Sequence, residues 1–162
     1  MTPDELVAAA IAVAEEGMAR GELPIGAGVE MGGEIIGRAH TRDVAAGRRL
    51  VHADLLAMTE ADTRLGWRPR PAPLRLAVNL EPCVMCMGAA MALKVDEVYY
   101  SLESPTDGGA AVAAGWPAQP WFAPPRVTGG LRRAEAQDQF RRYCSGAPPS
   151  GFRTWAETLT AL

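Results

Sequence analysis

A chain of 162 residues, 48% hydrophobic and 22% charged, fits one globular domain over 1–162 with a single core and leaves no room for a second. Its net charge of −3 and pI near 5.4 exclude the general basic field that concentrates nucleic acid on a surface. Only 3 cysteines argue against a disulfide framework and for thiols used in chemistry or metal binding.

Thr2-Pro3-Asp4-Glu5 reads as a capping box, and Leu6, Ala10, Val13 and Gly17 recur at helical spacing to about Met18. The apolar run 6–14 is too short to span a bilayer. Asp4 and Glu5 stand where a secretion signal would be basic, so the expected location is the cytoplasm, with no membrane attachment. Strand-like runs over 25–31 and 34–40 flank Gly32-Gly33, a two-residue hairpin signal. Residues 41–50 are polar and basic and read as a loop. A helix is expected over 51–65, with Leu55, Met58, Ala61 and Leu65 on its buried face and His52 and Asp54 in its first turn.

The prolines of 66–73 stop that helix, and 74–80 has the length and character of a buried strand. A helix over 84–94 and a strand over 96–102 complete a strand, helix, strand unit, which implies a parallel pair. Turn-rich and proline-rich segments follow, the second carrying Trp116, Trp121 and Phe122. A short strand is expected over 126–128 and a helix over 131–144 burying Ala136, Phe140 and Tyr143. After a break near 145–151, the last residues form a short helix or lid, so 145–162 reads as a C-terminal tail.

Chemistry concentrates in Asn79-Leu80-Glu81-Pro82-Cys83-Val84-Met85-Cys86. Cys83 and Cys86 are one turn apart at a helix start, where the first turn points both thiols to one side and the free N–H groups favour thiolates. A zinc ion that activates water takes three protein ligands and keeps one position open. The third ligand is His52 or His40. His52 is preferred because it also begins a helix, which would bring two helix N-termini to one ion, with Asp54 a carboxylate two residues on.

Pro82-Cys83-Val84-Met85-Cys86 with His52-Ala53-Asp54 resembles the cytidine deaminase-like superfamily of zinc deaminases. The segments Glu22-Leu23-Pro24-Ile25-Gly26-Ala27 and Val127-Thr128-Gly129-Gly130-Leu131 are similar to the branch holding tRNA adenosine, guanine and nucleoside deaminases. The resemblance implies an α/β fold, a three-layer α-β-α sandwich with a mixed five-stranded sheet, and a homodimer. It also implies zinc on His52, Cys83 and Cys86, with Asp54 as general acid and base. Thr41, Pro24 and Ala53 are implied to contact substrate, and Glu81 to support the ligand shell.

Two positions depart from the branch. Asp54 stands where relatives have Glu, withdrawing the carboxylate by roughly 1.5 Å, a displacement of the size that costs ~100-fold in rate. Thr41 stands where a base-contacting Asn is usual. Rival readings of the parts are a redox Cys-x-x-Cys pair, a closed structural site completed by Cys144, and an Asp54 that only complements a helix dipole. Trp116, Trp121 and Trp155 either stack on a base or simply pack. The acidic balance favours a small-molecule base or nucleoside as substrate, with Arg132, Arg133, Arg141 and Arg142 forming the solvated side of the last long helix. A tRNA adenosine deaminase is the alternative, and a catalytically silent zinc-binding partner domain the third.

Overall fold

The computed structural model describes residues 1–162. Helix α1 (Pro3–Met18) begins on the expected capping box: Thr2 Oγ1 accepts from the Glu5 N–H, and the Glu5 carboxylate accepts from the Thr2 N–H. Strands β1 (Gly26–Met31) and β2 (Glu34–His40) form the hairpin. Gly32 and Gly33 take φ of 63° and 93°, the two left-handed positions that a tight hairpin turn needs. The remaining elements are α2 (Asp43–Ala46), α3 (Ala53–Leu65), β3 (Leu74–Leu80), α4 (Val84–Ala92), β4 (Glu97–Leu102), α5 (Ala110–Ala114), β5 (Arg126–Thr128), α6 (Arg133–Gly146) and α7 (Gly151–Leu159).

The five strands form one mixed sheet in the order β2-β1-β3-β4-β5. β1 pairs antiparallel with both β2 and β3, whereas β3, β4 and β5 run parallel. The alternation of side chains along the strands divides the core between the two faces. Ala27, Val29, Leu76 and Val78 pack with Ala57 and Met58 of α3 and Met87 of α4. Ala77 and Tyr99 pack with Leu6 and Ala10 of α1. Phe140 and Tyr143 of α6 join Leu102 and the α7 residues Ala156 and Leu159 in a further cluster. Two glycines permit the close approach of helix to sheet. A Cβ at Gly26 would lie 2.4 Å from the Ala10 carbonyl of α1, and one at Gly37 would lie 2.2 Å from the Ala57 carbonyl of α3. The expected three-layer sandwich is the observed one, and no helix is long and apolar enough to cross a membrane.

Several boundaries differ from the sequence expectation. α3 starts at Ala53, so His52 is its N-cap and lies outside the first turn. α4 ends at Ala92 because Lys94 turns left-handed at φ 54°, and Arg70 closes the helix end by donating to the Leu93 and Lys94 carbonyls. α2 and α5 are short helices inside segments that read as loops.

Asn79 joins these layers on the face of β3 turned to α6. Its Oδ1 accepts from the Gly26 N–H at 3.0 Å, and its Nδ2 donates to the Pro24 carbonyl at 2.7 Å and to Gln139 Oε1 at 3.0 Å. Gln139 in turn donates to the Ile11 carbonyl of α1 at 2.9 Å. Asn79→Ala strands the buried Gly26 N–H, so a loss of about 1–3 kcal/mol is expected in urea denaturation. An unchanged midpoint would show that water takes over these bonds.

Candidate functional site

His52 and Cys83 are both N-caps, of α3 and α4, and neither side chain caps its own helix. They face each other instead. His52 Nδ1 lies 3.5 Å from Cys83 Sγ and 3.7 Å from Cys86 Sγ, and the three donor atoms fall within 4.8 Å of one another. For a tetrahedral zinc ion with ordinary Zn–N and Zn–S lengths, the N···S edge should be roughly 3.6 Å. The donor set therefore fits zinc in both type and spacing. The positive ends of α3 and α4 converge on the two cysteines, which accounts for the helix-start spacing read in the sequence.

His40 and Cys144 are excluded from this group by their own contacts. His40 is buried, with Nδ1 donating to the Thr41 carbonyl at 2.6 Å and Nε2 receiving the Arg20 guanidinium at 3.0 Å. Cys144 packs on the α6 and α7 cluster. The closed four-ligand reading thus has no fourth ligand, and three donors leave one side of the site open.

In the metal-free protein these groups polarise one another. Cys83 is drawn down to about 4, first by the hydrogen bond from Cys86 and then by the one with His52. The hydrogen bond to the Cys83 thiolate holds His52 up at about 9, while the Cys86 thiol, the partner in the Cys83 bond, is pushed up. Cys83 lines the cleft, so metal-free protein should be alkylated there by iodoacetamide at pH 6, well above its pKa, while Cys144, raised by burial, resists. Zinc should block the reaction, and peptide mass mapping reads the outcome.

Asp54 is 4% exposed and forms part of the cleft wall. Burial raises its pKa, and its carboxyl reaches Cys86 as a hydrogen-bond partner while Oδ1 accepts from the Leu55 N–H at 3.1 Å. Despite the missing methylene, the carboxyl therefore lies against the candidate ligand cluster, because it stands at the second residue of a helix whose N-cap is His52.

The expected substrate contacts divide. All three are buried; Thr41 and Ala53 border the cleft, whereas Pro24 does not and its neighbours Leu23 and Ile25 do. Thr41 Oγ1 donates to Asp43 and also lies 3.3 Å from the Val51 carbonyl. Glu81 tethers backbone, with Oε1 accepting from Ala110 N–H and Oε2 from Ser104 N–H, each at 3.0 Å. Those bonds hold residues 104–110 beside Cys83, where Val84 N–H donates to the Asp107 carbonyl at 3.0 Å. Of the tryptophans, Trp155 lines the cleft and meets Phe140 edge to face, Trp116 meets Phe122, and Trp121 is exposed.

The cleft itself has a volume of about 1670 Å³, larger than the roughly 300–1,000 Å³ of small-molecule sites. Sequence reading met Glu22 only within a segment of family likeness and gave it no role; it is a buried carboxylate between the cleft residues Gly21 and Leu23, and Arg48 and Arg49 stand in the cleft wall.

Residues 1–102 match the model of the cytidine and deoxycytidylate deaminase zinc-binding region. A tRNA-specific adenosine deaminase of Bacillus subtilis (strain 168) is 42% identical over 110 residues, which cover 67% of this chain and 67% of that protein. The chain is also 37% identical over 128 residues to a tRNA(Ile)-lysidine synthase of Deinococcus radiodurans, covering 78% of this chain but only 22% of that protein. A structure from studies of A-to-I editing by tRNA:A34 deaminases at the wobble position superposes with a TM-score of 0.72 at 28% identity, covering 83% of this chain and 98% of that one. The guanine deaminase of Nitrosomonas europaea superposes at 0.71 with 24% identity, covering 88% and 84%, a likeness of fold.

Proposed function

The chain belongs to the zinc-binding cytidine and deoxycytidylate deaminase family, and from that premise we infer that it is a hydrolytic deaminase acting on adenosine within RNA of the tRNA anticodon type. The observation that carries this reading is the site's setting: a His/Cys/Cys donor group and a buried carboxylate in a cleft of about 1670 Å³, which leaves room for nucleotides flanking the target base. The similarity to tRNA-specific adenosine deaminases supports the same substrate. These findings favour RNA over the free base or nucleoside expected from net charge.

His52, Cys83 and Cys86 would hold zinc, which supplies an acidified water at its open position. Asp54 would do the proton work: its carboxyl takes one proton from water and gives it to the ring nitrogen, then carries a second, from the hydroxyl formed on the ring carbon, to the departing amine, which leaves as ammonia as the carbonyl forms. Burial favours the protonated form of Asp54, and a bound cation would oppose it. Thr41 and Ala53 would face the base, and Ile25, Val78 and Leu80 furnish an apolar wall that excludes water. Val84 is half exposed on α4, and space is open over Gly88, which supports a homodimer built on that helix. A concentration-independent monomer mass would overturn it.

The test is ammonia release by zinc-loaded protein from an anticodon stem-loop, adenosine, adenine, guanine and cytidine. Inosine in the stem-loop is expected. Turnover of a free base without turnover of RNA would restore the small-molecule reading, and bound zinc with no turnover of any substrate would indicate the silent partner domain.

A further inference from the structure

Glu22 is 1% exposed, yet neither carboxylate oxygen meets a cation. Oε2 accepts from the Val44 N–H at 2.9 Å and Oε1 from the Ala45 N–H at 2.7 Å, fixing α2 against the segment before β1. Bonds to an ionised acceptor are among the stronger hydrogen bonds. Two backbone bonds brace the same segment: Thr41 N–H to the Ile25 carbonyl at 3.0 Å, and Arg42 N–H to the Val51 carbonyl at 3.1 Å. Gly47 then turns left-handed at φ 59°. The next two residues, Arg48 and Arg49, are exposed and line the cleft.

The cleft wall also holds carboxylates, but those are engaged. Asp43 accepts from Thr41, Asp107 from Ser104, Asp54 from the Leu55 N–H, and Glu81 from two backbone N–H groups. Arg142, the third arginine of the wall, is paired with Glu15 and Asp138. Arg48 and Arg49 form no ion pair. The same cleft offers Phe152, 42% exposed on α7. Free cations together with an exposed aromatic face are the combination that holds single-stranded nucleic acid.

We propose that Arg48 and Arg49 form a phosphate subsite for the strand flanking the target nucleotide, and that Glu22 is the positioning residue that holds them over the cleft. This subsite rests on the RNA reading above. The two arginines give the protein a local grip on a polyanion that its net charge of −3 conceals.

The test compares zinc-loaded wild type with Arg48→Ala/Arg49→Ala, Glu22→Ala and the triple variant, using an anticodon stem-loop as probe. Steady-state turnover gives kcat and KM, and fluorescence anisotropy over a potassium chloride series gives the salt dependence of binding. The double variant is expected to raise KM on the order of tenfold, with kcat falling far less. It should also flatten the slope of log K against log salt by about 1.4, the share of two phosphate contacts on a single strand. If Glu22 acts through the arginines, the triple variant matches the double, whereas a merely structural role would add a further loss. The arginine variant stays informative even if Glu22→Ala fails to fold, since Arg48 and Arg49 are exposed. Wild-type deamination of the stem-loop, with unchanged KM and slope in the double variant, overturns the subsite and leaves the RNA reading standing. A wild type that neither binds nor deaminates the stem-loop overturns both.

Discussion

Asp54→Ala is expected to lower the proposed deamination by roughly 10²–10⁴-fold with zinc still bound. The magnitude follows from the position of Asp54: a carboxyl against Cys86, in the wall of the cleft, and with no other carboxyl in contact with the ligand cluster among the hydrogen bonds there. The metal should remain because the three proposed ligands come from the α3 and α4 N-caps and from Cys86, and Asp54 is not one of them. Its one backbone bond, to Leu55 N–H, is local to the first turn, so the fold should survive. Elemental analysis for zinc beside single-turnover kinetics checks both halves. Full activity in the variant would remove the acid and base role, and loss of zinc would make Asp54 a support of the metal.

Phe140→Ala should destabilise the protein by about 3–5 kcal/mol, the usual range for emptying a buried aromatic position. Phe140 is fully buried between α6 and α7, where it meets Trp155 edge to face at 6.3 Å. For a chain of this size the melting temperature should fall by about 6–20 °C, which calorimetry can measure. The effect reaches the site, because Trp155 and Phe152 of α7 and Tyr143 of α6 line the cleft. A rise in KM for the stem-loop is therefore expected well below the melting point. A small thermal shift with a large KM change would show that α7 loosens without global unfolding.

The preference for a small-molecule substrate came from charge summed along the chain, and that sum cannot register pairing. Arg132, Arg133 and Arg142 are neutralised by Asp4, Glu103 and Glu15, as a solvated helix side would be. Arg48 and Arg49, within a segment read as a plain loop, are the arginines left unpaired at the cleft. Ion pairing joins residues far apart in sequence, so composition is silent about which charges remain free. The same holds for Glu22, whose neighbours in sequence say nothing about the two N–H groups it caps 22 and 23 residues later.

What the sequence determined by itself is what short-range physics controls. The capping box at Thr2, the Gly32-Gly33 turn, strands β2 and β3 to the residue, and the pairing of Cys83 with Cys86 across one turn all follow from local periodicity and turn chemistry. The choice between His40 and His52 was already inclined toward His52 by its place at a helix start, but only the tertiary structure decided it, by trapping His40 between Arg20 and the Thr41 carbonyl. Tertiary contacts also ended α4 at Ala92 through Arg70, made Glu81 a tether for residues 104–110, and brought Asp54 against Cys86. Arg70, Glu81 and Asp54 each meet partners more than twenty residues away in the chain, a separation that local periodicity and turn chemistry do not span.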